Sequence, residues 1–84
     1  EEALMKHIVN HLLAFMSPPN SEYFSNIVKE LKKRMHVGEA KAKDYFNQAN
    51  SAGVFNLPIN NRYSLNTSQC DAILNDLPFA PSNE

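Results

Sequence analysis

Through the first sixteen residues the apolar side chains recur at helical spacing. Leu4, Met5, Ile8, Leu12, Phe15 and Met16 form one stripe, widened by Val9 and Leu13, while Lys6, His7, Asn10 and His11 fall opposite. This predicts a helix over residues 2–16. Ser17-Pro18-Pro19 stops it, because a residue before proline is driven out of the α region. The stripe resumes with Phe24, Ile27, Val28, Leu31 and Met35, so a second helix is expected, capped by Asn20 or Ser21. Lys29 and Lys33 lie opposite this stripe, and Glu30 can pair with Arg34 one turn on. No strand is expected between these two helices. Val37-Gly38 is expected to break the chain and allow a sharp turn. A third helix is predicted over about residues 39–51, with Ala42, Tyr45, Phe46 and Ala49 inward and Gly53 ending it as a C′ glycine.

From Val54 the period falls to two. Phe55 and Leu57 alternate with polar or breaker residues, as do Tyr63 and Leu65 on the far side of Ile59-Asn60-Asn61. A two-residue turn at Asn60-Asn61 would set Leu57 against Ser64 and split the apolar pairs between faces. A three-residue loop sets Leu57 against Tyr63 and Phe55 against Leu65. It buries all four together and is the expected register, with Asn61 left-handed. A short helix then opens at Thr67 or Ser68, with Ser68 and Asp71 spaced as a capping box, and runs to Leu77. Pro78 ends it, giving a domain over residues 1–78 and a tail over residues 79–84.

At 84 residues the chain is one small domain, and its 43% hydrophobic and 20% charged composition is globular. A domain of this size hides only about 60% of its unfolded surface, so almost every apolar residue is needed inside. One cysteine excludes a disulfide framework and suits a reducing compartment. No apolar run is long enough for a bilayer, no signal segment opens the chain, and it reads as a module cut from a longer intracellular protein, nuclear or cytoplasmic. The net charge of −1 conceals an asymmetry: residues 29–43 hold six cations against two acids, while all other positions hold two cations against seven acids. The positive field is therefore local.

The order helix, helix, turn, helix, glycine, hairpin resembles the winged helix-turn-helix superfamily. The residues that carry the resemblance are Ile27 and Leu31, Val37 at the turn, and Ala42, Tyr45-Phe46 and Ala49 of the third helix. Ala52-Gly53-Val54-Phe55 then enters the wing and Arg62-Tyr63-Ser64-Leu65 returns from it. About half the chain is covered, by core positions that name no single family. The resemblance implies a monomeric, mostly helical α+β fold: a three-helix core, a short β-hairpin wing and a short C-terminal helix. It also implies nucleic-acid binding, with the third helix facing the ligand and the wing touching backbone. On this sequence that helix would project Ala40, Asp44, Asn47 and Ser51, with Lys41, Lys43 and Gln48 on its flanks. Asn47 or Gln48 suits an adenine edge. Lys41 and Lys43, joined by Lys29, Lys33 and Arg62, suit phosphates of RNA or DNA. Glu39 and Asp44 oppose this, since an acid at a helix N-terminus takes the place of a phosphate.

The competing expectation is a winged-helix adaptor for protein contact or dimerisation, since fold does not fix function. The C-terminal helix would then offer Leu74, Leu77 and Phe79, residues that equally serve to cover the open end of the core. No enzyme and no cofactor are expected. His7 and His11 stand one turn apart, yet Ile-Val-Asn between them lacks the glutamate of a zinc-protease helix, and they read as surface histidines. Cys70, early in its helix, is either a thiol with a lowered pKa or a small buried hydrophobe. Of three tyrosines that might stack on bases, Tyr45 and Tyr63 fall on core faces and Tyr23 is left open.

Overall fold

The computed structural model describes residues 2–75. In chain order these form α1 (Glu2–Met16), β1 (Ser21–Tyr23), α2 (Phe24–Met35), α3 (Glu39–Ser51), β2 (Arg62–Ser64) and α4 (Thr67–Leu74). The architecture is mostly helical α+β, with four helices and a small antiparallel sheet among the described residues. Leu77, Pro78, Phe79 and the expected tail lie outside them.

α1 and α3 take the residues their stripes predict. Ile8, Val9, Leu12 and Met16 of α1 are buried, and they meet Ile27, Val28 and Leu31 of α2. From α3 come Ala42, Phe46 and Ala49, whose two small side chains allow close helix approach. Val54, Phe55 and Leu65 of the hairpin and Cys70 and Ile73 of α4 close the core. Leu74 is half-buried and packs against that core, so this much of α4 covers its open end.

Three expectations need correction. First, a strand does separate α1 from α2. Ser21, Glu22 and Tyr23 pair antiparallel with Ser64, Tyr63 and Arg62, so α2 starts at Phe24 and neither Asn20 nor Ser21 caps it. The pairing is reinforced by Arg62, whose Nε donates to Ser21 Oγ at 2.9 Å and whose Nη2 donates to the Ser21 carbonyl at 2.8 Å. Its guanidinium also lies 4.8 Å from the Tyr23 ring centroid.

Second, the hairpin satisfies both candidate registers at different ends. Phe55 is bridged to Leu65, as the three-residue loop requires. At the tip, however, Ile59 and Arg62 exchange both backbone hydrogen bonds at 3.0 Å around a two-residue turn. Asn60 and Asn61 both have positive φ, 54° and 64°, the pattern of a type I′ turn. The registers are reconciled by one extra residue within 56–58, where Pro58 has no N–H to give to a ladder. Leu57 is thereby turned out of the core and stands 88% exposed, with Ile59 at 74%.

Third, the helix ends differ in detail. α2 closes on His36 in the left-handed region, with the Val37 N–H donating to the Lys32 carbonyl at 3.3 Å, and Gly38 is extended. Asn66, not Ser68, caps α4: its side-chain oxygen accepts from the Gln69 N–H at 3.2 Å. Gly53 is left-handed at φ 84°, as a C′ glycine should be. The Gln69 side chain lies against it and donates to the Ala52 carbonyl at 2.9 Å, tying α4 to the end of α3.

Candidate nucleic-acid interface

The cations of residues 29–43 are sorted by helix geometry into separate surfaces. With 3.6 residues per turn, Ser25, Lys29 and Lys32 share the flank of α2 that faces α3, and Lys33 points away from the core. On α3, Glu39 and Lys43 share the flank facing α2, whereas Lys41 and Gln48 lie on the other flank. An open groove of about 410 Å³ between the helices is lined by Phe24, Ser25, Val28, Lys29, Lys32, Glu39 and Lys43. Of the expected phosphate ligands, then, Lys29 and Lys43 meet in one place. Lys32 joins them; it belongs to the basic stretch but lies off the face opposite the apolar stripe.

Glu39 stands between these ammonium groups. Its carboxylate is 3.9 Å from Lys32 Nζ and 3.3 Å from Lys43 Nζ. Both contacts are solvent-exposed, where such pairs are worth about 0–1 kcal/mol, so they leave the lysines available to a polyanion. Three cations around one acid give the groove a net positive potential.

The other expected residues are placed elsewhere. Lys41 Nζ lies 5.9 Å from the Tyr45 ring centroid, on the far flank of α3. Gln48 donates to Asp44 at 2.9 Å, so that amide is partly committed, and Asn47 is exposed beside it. Lys33 is exposed on α2 next to the groove. Arg62 is engaged with Ser21 and Tyr23 at the sheet. Beside it, Asn26 donates to Glu22 at 2.9 Å and holds that carboxyl below its usual range, against the effect of partial burial; the Tyr23 N–H and Arg62 add to the lowering.

Cys70 resolves as the buried hydrophobe. Burial pushes its thiol up to about 11, with the Asp71 carboxylate adding to the rise, so desolvation outweighs any lowering by the helix N-terminus. A raised folded pKa favours the neutral thiol. Its contribution to stability is full below the ordinary value of 9.0 and is lost as pH climbs through that value toward 11. Cys70 is therefore expected to react with a disulfide reagent at pH 8 at least tenfold more slowly in the native chain than in urea. A spectrophotometric thiol titration under both conditions checks this. His7 is exposed and His11 half-buried on α1. Among the described residues no group of three or more histidine, cysteine or acidic side chains is placed to hold a metal ion, and no helix is long and apolar enough to cross a membrane.

No family model, curated protein or solved structure matches this chain.

Proposed function

We propose that this chain is a winged-helix module that binds nucleic acid through its phosphate backbone, using the groove between α2 and α3. The observation that carries the reading is the convergence of Lys29 and Lys32 from one helix with Lys43 from the next around a single open groove. Support for the winged form comes from β1, which supplies the strand the sequence pattern lacked and lays it against the returning arm of the hairpin. Backbone contacts dominate because the outward face of α3 offers few free base-reading groups. Asp44 holds Gln48 and Ala40 has no polar side chain, which leaves Asn47 of the two expected amides.

The test is fluorescence anisotropy of labelled RNA, single-stranded DNA and duplex DNA across a salt series. With about three phosphates neutralised, the logarithm of affinity should fall with that of salt at a slope near −2 for single strands and near −3 for duplex. Failure of every probe to bind at low salt would remove this reading. Glu39→Gln should raise affinity about threefold at low salt, with the gain shrinking as salt rises, because it deletes a carboxylate that lines the groove.

A second reading, an adaptor for protein contact, has one observation in its favour: Leu57 and Ile59 present large apolar side chains to solvent at the hairpin tip. It takes precedence if no nucleic acid binds.

A further inference from the structure

Resting on that reading, we infer that the nucleic acid this surface takes is single-stranded, with bases stacked on the aromatic side chains of Tyr23 and Phe24 while the phosphates run along the lysine groove. The groove does not end at the helices. A second open depression, of about 460 Å³, is lined by Tyr23, Phe24, Ser25, Pro58, Asn61 and Tyr63, and it shares Phe24 and Ser25 with the first. A ligand following the lysines from Lys43 past Lys29 therefore arrives at a cluster of rings.

These rings are exposed beyond what packing requires. Tyr23 is 45% and Phe24 36% accessible, in a chain so small that apolar surface is scarce. They are also held in place. Phe24 meets Phe46 edge-on at 4.8 Å between centroids, and Tyr63 meets the same ring edge-on at 5.1 Å. Tyr23 is backed by the Arg62 guanidinium, itself fixed by two hydrogen bonds to Ser21. Rings anchored in this way lose little freedom when a base stacks on them, and a nearby guanidinium adds positive charge. Ser25 and Asn61 place polar side chains beside them, within the same depression, for the edges of a stacked base.

A duplex cannot use this arrangement, since its bases face one another and offer no open ring surface. It would instead place α3 in the major groove, where Glu39 and Asp44 would meet a wall of phosphates. A single strand that keeps its charge on the α2–α3 flank avoids Asp44 and meets Glu39 only where Lys32 and Lys43 already offset it, and it turns its bases toward the rings.

The experiment uses the whole chain and four labelled probes at low salt: oligo-U, oligo-dT, a strand of equal length without bases, and a duplex. Stacking changes affinity by roughly 5- to 150-fold per base, so the base-bearing strands should bind at least tenfold tighter than the abasic strand. Tyr23→Ala should erase most of that advantage, read as the ratio of base-bearing to abasic affinity. Phe24→Leu, which keeps the packing volume, should act in the same direction. Tighter binding of either oligo-U or oligo-dT supports the inference and identifies the preferred sugar. Equal binding of abasic and base-bearing strands, or duplex binding as tight as single strand, overturns it and leaves the proposed function standing. Loss of all binding, abasic strand included, overturns both. Should a variant unfold, photocrosslinking of iodouracil-containing RNA to the unaltered chain decides. Adducts on Tyr23 or Phe24 support the inference, and adducts confined to the outer face of α3 overturn it.

Discussion

Phe46→Ala should cost about 3–5 kcal/mol, the range for emptying a buried phenylalanine site. Phe46 is 3% exposed and is the ring on which three others converge. It stacks on Phe55 at 4.7 Å and is met edge-on by Phe24 and by Tyr63. One side chain of α3 thus joins α2, both arms of the hairpin and the helix that carries it. A domain of this length has a total stability of order 4–13 kcal/mol, so the substitution removes a large part of it. Thermal unfolding followed by circular dichroism should show the midpoint falling by more than about 15 °C. Leu57→Ala should move stability by less than about 0.5 kcal/mol, because an exposed side chain away from the core has little to lose. A large effect at Leu57 would mean that the hairpin buries it after all.

The second large effect is on binding. Reversing Lys29, Lys32 and Lys43 together to glutamate should weaken oligonucleotide affinity by at least 100-fold at low salt and flatten its salt dependence, since the released counterions are those displaced by these three groups. Lys41→Glu is the informative comparison. It makes the same change in net charge per residue, yet it acts on the far flank of α3 beside Tyr45. It should therefore reduce affinity less than about threefold, the share expected of a screened, distant charge. Anisotropy titrations of the triple variant and Lys41→Glu separate a localised groove from a generally basic patch. Equal losses per charge reversed would rule out the groove.

The long helices were legible because their stripes run for three or more turns, so that α1 and α3 begin and end where the pattern does. β1 was not, since three residues cannot display a period of two. Its conformation depends instead on Arg62, forty-one positions away, whose hydrogen bonds select a strand over a helix cap at Ser21. Leu57 was misassigned because an apolar residue on the alternating face was assumed to be inward. The extra residue beside Pro58 reverses that, and it can be recognised only once Asn60 as well as Asn61 is known to be left-handed. At the candidate site, the concentration of lysines was visible in the charge distribution. Which of them share a surface was not. The face opposite the apolar stripe singled out Lys29 and Lys33, whereas the groove lies to one side of that face and takes Lys29 together with Lys32.

The pairing of Ser21–Tyr23 with Arg62–Ser64 also bears on the order of assembly. α2 and α3 are neighbours in sequence and can pack after closing only a short turn, as can the hairpin around Asn60-Asn61. Joining β1 to β2 must enclose both helices and one arm of the hairpin, at a loop-closure cost that grows with the length enclosed. This seam is therefore expected to close after the rate-limiting barrier, with little effect on how fast the chain folds. Its strength would instead set how long the native state lasts before opening, which makes Arg62 a governor of kinetic persistence.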